Sequence, residues 1–209
     1  MNTVIDLVDK LRDTCESHAR CNVVEVMGRG AGDIALFTGI ATGATAIVIP
    51  EIETDIEAII KKIESSRRLG KRNFIVLVSE GVGSKFGPEL TETIEARTGI
   101  ESRFTRLGHV VRGGNPSLRD RFLASRMGVY AVDRLLEGLS NIVVCDIGDT
   151  LTHTEINYAL ILDRMYKGRL QDGDLDQFTQ EQLASMKETC RVRRREIEYL
   201  YQMANSISF

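Results

Sequence analysis

Three short runs, CNVVEV at 21–26, TAIVIP at 45–50 and FIVLV at 74–78, are continuous apolar stretches of strand length, each followed by a segment with helical spacing. FIVLV shows no apolar–polar alternation, as expected of a parallel strand covered on both faces. Between the strands, Asp33 to Ile40 has helical spacing and runs up to Gly43. Thr54 with Glu57 forms a capping box that opens a helix carrying Ile56, Ile59, Ile60 and Ile63, which Gly70 ends. Val4, Val8, Leu11 and Cys15 likewise recur at helical spacing, so the sequence opens inside a helix. Repeated alternation of strand and helix predicts an α/β fold with a largely parallel sheet sandwiched by helices.

Further along, Pro88 to Arg97 predicts a helix with Pro88 in its first turn, and 100–114 predicts a strand running into a glycine turn. Residues 115–138 form a longer amphipathic helix, with Ser117 as cap and Gly138 as stop, and NIVVCDI is one more strand. Gln180 to Ala204 is a charged helical tail whose apolar seam Arg193 interrupts, so a packed terminal helix is expected rather than a coiled coil.

The charge balance narrows the partners. With 27 Lys and Arg against 30 Asp and Glu, the net charge of -3 lacks the basic excess needed to displace counterions from a nucleic acid. RVRRRE at 191–196 reads as a solvated helix face. No apolar run approaches the roughly 20 residues that span a bilayer, and MNTVIDLVDK lacks the features of a signal peptide. The four cysteines are scattered without a C-x-x-C pair, which indicates neither zinc nor a disulfide framework and fits a reducing cytoplasm.

Two glycine-flanked arginine motifs carry the chemistry. GRGAGD at 28–33 nearly matches a dinucleotide turn, but Asp33 stands where the third glycine would let helix and strand pack closely. RLGHVVRGGNPS at 106–117 places His109 and Arg112 against glycines at a strand end. Guanidinium forks, a histidine donor and approachable backbone N–H groups are what a sugar phosphate needs. Glu80, just after FIVLV, can accept hydrogen bonds from sugar hydroxyls. Bland readings stand beside these: a tight structural turn, a core histidine, a surface arginine and a solvated glutamate. No phosphate-cradling G-x-x-x-x-G-K-[ST] and no paired-carboxylate loop is present for phosphoryl transfer, and strand-end structure is the role read for Asp146 and Asp149.

Taken together and in order, VEVMGRGAGDIAL, VSEGVG and ESRFTRLGHVVRGGNPSLRDRFLASRMG resemble the 6-phosphofructokinase family from residue 2 to about residue 160. The resemblance implies phosphorylation of fructose 6-phosphate on its 1-hydroxyl, in glycolysis, with magnesium and ATP or pyrophosphate. It implies that Met27, Gly28 and Arg29 contact the substrate, with Arg29 near the transferred phosphoryl group, that Glu80 holds sugar hydroxyls, and that His109 and Arg112 grip the 6-phosphate. Arg20 and Arg103 would reach into the neighbouring subunit's site, which implies a homo-oligomer with shared active sites. Arg12 and Lys71 match effector positions of the bacterial enzymes, while Thr45 and Leu69 replace an acidic and a basic effector residue.

The resemblance also divides the chain: 1–110 as the sugar-phosphate-binding small domain, 111–162 as a remnant of the large, nucleotide-side domain, and 163–209 as a helical C-terminal extension. The glycine-rich nucleotide loop and the T-I-D-N-D segment with the catalytic aspartate do not occur in the sequence. The expectation is a substrate-binding half that is inactive alone, its magnesium and phosphoryl donor held mainly by an N-terminal half that would also be its partner, and apolar surface that drives dimerisation or poor solubility unless a partner covers it. The rival from another class is a non-catalytic sugar-phosphate or nucleotide-binding regulatory module, and a dinucleotide-binding protein is third.

Overall fold

The computed structural model describes residues 1–207 and divides into two compact units, residues 1–114 with the end of the last helix from Arg194, and residues 115–193. In the first unit the order is α1 (Asn2–His18), β1 (Cys21–Val26), α2 (Asp33–Thr42), β2 (Ala46–Val48), α3 (Ile56–Arg68), β3 (Phe74–Ser79), α4 (Phe86–Thr98) and β4 (Ser102–Arg106). Short 3-10 turns follow β3 at Glu80–Val82 and β4 at Gly108–Arg112. The four strands make one parallel sheet in the order β2-β3-β1-β4.

Both faces of this sheet are covered, which is why its central strands are apolar throughout. Every residue of β1 and of β3 is buried. Val24, Val26, Ile75 and Leu77 point into one core with Val4 and Val8 of α1 and Leu36 of α2. Alternate residues Cys21, Val23, Phe74, Val76 and Val78 point into a second core with Ile59, Ile60 and Ile63 of α3 and Leu90 and Ile94 of α4. Strand periodicity therefore feeds two cores from one run of sequence. Burial pushes the Cys21 thiol up to about 12, with Cys15 adding to it, as suits a packing residue.

The opening of α3 differs from the sequence expectation. Asp55, not Thr54, is the cap, its Oδ1 accepting from the Ala58 N–H at 2.9 Å. Glu57 does not reach back to complete a box, because both its oxygens take Arg97 of α4, at 2.7 and 2.9 Å.

In the second unit, α5 (Leu118–Leu136) begins at the Ser117 cap, where Ser117 and Asp120 close a full capping box. An antiparallel hairpin follows, β5 (Ile142–Ile147) and β6 (Thr150–Glu155), joined by Gly148 and Asp149 at φ of 58° and 64°. Positive φ at both central residues is what a twist-compatible two-residue turn demands. The sequence reading contains β5 but not β6. Then come α6 (Ile156–Tyr166) and the first turns of α7 (Gln180–Ile207), whose last turns, with Ile197 and Ala204, belong to the first unit's core.

Candidate functional site

Because β3, β1 and β4 are adjacent and parallel, the loops that leave their C-terminal ends border one another. These loops carry Met27, Gly28 and Arg29 after β1, Glu80 after β3, and His109 and Arg112 after β4. Six of the residues expected from sequence thus share one end of the sheet.

The first two loops are laced together. The Gly28 N–H donates to Glu80 Oε1 at 3.2 Å, and the Gly28 carbonyl accepts from Ser79 Oγ at 2.9 Å. Ser79 is fully buried and Glu80 half-buried, so the carboxylate is tethered by its backbone partner without being sealed from solvent. Gly28 sits at φ 154°, and a Cβ there would meet Ala31 O at 2.4 Å and Ser79 Oγ at 2.5 Å. Only glycine fits this backbone and this space. Beside it, Met27 packs against the first core and Arg29 is exposed, with no hydrogen bond or ion pair among the described residues.

His109 and Arg112 lie on the five-residue 3-10 turn, which repeats about every three residues, so the two side chains share one edge. Buried Val111 anchors the turn between them. Both side chains are exposed and neither has a protein partner among the described residues. A phosphate dianion facing this edge would meet one imidazole and one guanidinium fork.

At the start of α2, both carboxylate oxygens of Glu51 accept from the Gly32 N–H, at 2.8 and 3.1 Å. A dinucleotide turn would seat its pyrophosphate on that helix end. Here a carboxylate holds the donor, which weighs against the dinucleotide alternative.

The other four expected residues lie at the opposite end of the sheet. Glu101 stands between Arg20 and Arg103: one oxygen accepts from Arg20 Nε at 2.7 Å and the other from Arg103 Nη2. The Arg20 hydrogen bond holds the Glu101 carboxyl below its ordinary range, with Arg103 and His18 adding to it. Arg12 donates to the Thr42 carbonyl at the end of α2. Burial lowers the Lys71 ammonium, and the positive charge of Arg12 lowers it further. Lys71, Arg67 and Arg72 line a cleft of about 240 Å³ with Glu101. Thr45 is buried with its hydroxyl unpartnered among the described residues, and Leu69 is 83% exposed.

Glu25, Arg106, Ser79, Glu51 and Glu101 were absent from the expected site. One signal could have found Glu25: it is the one charge in an otherwise uncharged strand run, and a carboxylate buried there to 4% exposure needs a cation. Among the described residues, no three His, Cys, Asp or Glu side chains gather as a metal would require, and no helix is long and apolar enough to cross a membrane.

The phosphofructokinase family model matches residues 1–135. An ATP-dependent 6-phosphofructokinase from Halalkalibacterium halodurans is 51% identical over 162 residues, covering 77% of this chain and 50% of that protein. The chain spans about half the length of the curated relatives it matches. Among solved structures, the phosphofructokinase of Saccharomyces cerevisiae aligns with a TM-score of 0.73 at 31% identity, covering 78% of this chain and 23% of that one. That of Pichia pastoris in its T-state aligns with a TM-score of 0.71 at 31% identity, covering 94% and 22%. Sequence and fold agree that the chain belongs to the phosphofructokinase family.

Proposed function

We propose that this chain is the sugar-phosphate-binding part of a 6-phosphofructokinase, which transfers a phosphoryl group from ATP or pyrophosphate to the 1-hydroxyl of fructose 6-phosphate. The observation that carries the reading is the meeting of three adjacent loops at one sheet end, with exposed Arg29, His109 and Arg112 unpartnered among the described residues and Glu80 tethered to the Gly28 turn. His109 and Arg112 grip the 6-phosphate by charge-assisted hydrogen bonds, and Glu80 accepts from the sugar hydroxyls. Arg29, beside them, offsets negative charge on the phosphoryl group in transfer. Arg20 and Arg103, at the far end of the sheet, serve the site of a neighbouring copy in a homo-oligomer.

None of this chain's residues is given a metal-holding role. Magnesium and the phosphoryl donor are assigned to the part of a phosphofructokinase that this sequence does not span. Residues 1–110 act as the small domain, 111–162 as part of the large one and 163–209 as a C-terminal extension whose last helix packs into the small domain's core through Ile197 and Ala204. The exposed apolar residues of α5, among them Leu118, Phe122, Val129 and Leu136, support an assembled rather than solitary state.

Calorimetric titration with fructose 6-phosphate tests the site, and a turnover assay with magnesium and ATP or pyrophosphate tests the division of labour. Binding without turnover is expected. Absence of binding at millimolar sugar phosphate sinks the site reading, and robust product formation sinks the assignment of transfer chemistry elsewhere. A second, regulatory reading is favoured by Arg12, whose positive charge lowers the half-buried Lys71 ammonium and with it marks a locally cationic corner that an anionic effector fits.

A further inference from the structure

Glu25 and Arg106 are register partners on the adjacent parallel strands β1 and β4, so their side chains leave the sheet on the same face. Arg106 Nε donates to Glu25 Oε1 at 2.5 Å, and Nη2 lies 3.4 Å from Oε2. The same Nη2 donates to the Ser84 carbonyl at 3.2 Å, in the loop that leaves β3 and begins with Glu80. The guanidinium also stacks over Phe104, 5.5 Å from its centroid, and α4 packs Gly87 against that ring closely enough that a Cβ would stand 2.4 Å from it. One planar fork therefore joins a buried strand carboxylate, an aromatic wall and the Glu80 loop.

We propose that Arg106 and Glu25 are positioning residues for that loop, fixing the Glu80 carboxylate where sugar hydroxyls meet it; this rests on the sugar-phosphate reading of the site. The loop 80–85 is held at its start by the Gly28–Glu80 hydrogen bond and near its end by Arg106 on Ser84. With both holds in place, the carboxylate has little room to swing. Arg106 in turn cannot swing away, because Glu25 is 4% exposed and has to keep a cation. The hydrogen bond and charge of Glu25, with the Glu80 charge adding, raise the Arg106 guanidinium above its ordinary value, so it stays charged. The phosphate grip of His109 and Arg112 lies on another loop, so the two recognition tasks are separable.

That separation supplies the test. Arg106→Lys keeps a cation for Glu25 but removes the fork, since one ammonium cannot serve Glu25 and Ser84 in a common plane. Calorimetry on the full chain measures fructose 6-phosphate and inorganic phosphate separately. The expected result is an affinity for the sugar phosphate about tenfold weaker, roughly one positioned hydrogen bond, with inorganic phosphate unchanged. Should thermal melting show that Arg106→Lys is not folded, the double variant Glu25→Gln/Arg106→Gln replaces the pair by two amides that can bond each other, and the same selective loss is expected. The proposal is overturned if the parent binds both ligands and a folded variant loses neither or loses both equally. A parent chain that binds no fructose 6-phosphate overturns the site reading itself.

Discussion

Gly28 concentrates the constraints on the site. Its φ of 154° is one that L side chains rarely adopt, and its missing Cβ is the space taken by Ala31 O and Ser79 Oγ. Gly28→Ala must therefore shift backbone and push Ser79 off the Gly28 carbonyl it donates to. A cost of roughly 1–3 kcal/mol is expected for a strained backbone of this kind, read as a lower urea midpoint. Loss of the Gly28–Glu80 hydrogen bond should accompany it, weakening fructose 6-phosphate binding more than the stability loss alone explains. An unchanged urea midpoint would remove the argument from close packing. At this scale the strand-end placement of the glycine turn, Glu80, His109 and Arg112 was legible in the sequence, because each breaks its local pattern there. Arg106 was not, because an arginine closing a strand is usually solvated, and only strand register shows that it faces Glu25. Glu101 escaped because its partner Arg20 is distant in sequence, and only the pairing of β1 with β4 brings the residues that precede the two strands together.

Elements were legible where burial on two faces or helical spacing left a strong pattern, as in β1, β3 and α1. The hairpin partner β6 was hidden because TLTHTE mixes threonines, a histidine and a glutamate, and its strand character comes from pairing with β5 rather than from its own apolarity. The start of α5 was legible, and its cap is testable. Ser117 Oγ accepts from the Asp120 N–H at 3.2 Å, and Asp120 Oδ2 accepts from the Ser117 N–H at 2.8 Å. Ser117→Ala should cost about 1 kcal/mol and raise amide exchange in the first turn of α5. The hydrogen bonds from Ser117 hold the Asp120 carboxyl below its ordinary 3.8. A depressed folded value contributes stability above the unfolded pKa and loses it as pH falls through the folded one. The exchange difference between parent and variant should therefore be full at neutral pH and shrink only below pH 3.8. A difference that vanishes between pH 5 and 7 would exclude the Asp120 carboxylate as the partner.

For the whole molecule, the helices α1 and α7 meet in one core. Val4 and Val8 of α1, both fully buried, share a cluster with Ile197 and Ala204 of α7, and Leu200 and Tyr201 pack against it. The sequence showed an apolar seam in α7 but not its destination, because periodicity says which face is buried and not what covers it. The last turns of α7 complete the first unit, whose sheet carries every residue of the proposed site. Ile197, at 1% exposure, is the sharpest probe of this. Ile197→Ala removes its side chain beyond Cβ from a packed interior, a change that costs roughly 2–5 kcal/mol. A solvated helical tail would tolerate it within about 0.5 kcal/mol. Exchange protection separates the alternatives further. If Ile197 is a core residue of the first unit, the variant should lose protection in β1 and α1, which are distant in sequence from position 197, whereas a tail that frays alone would leave those amides untouched.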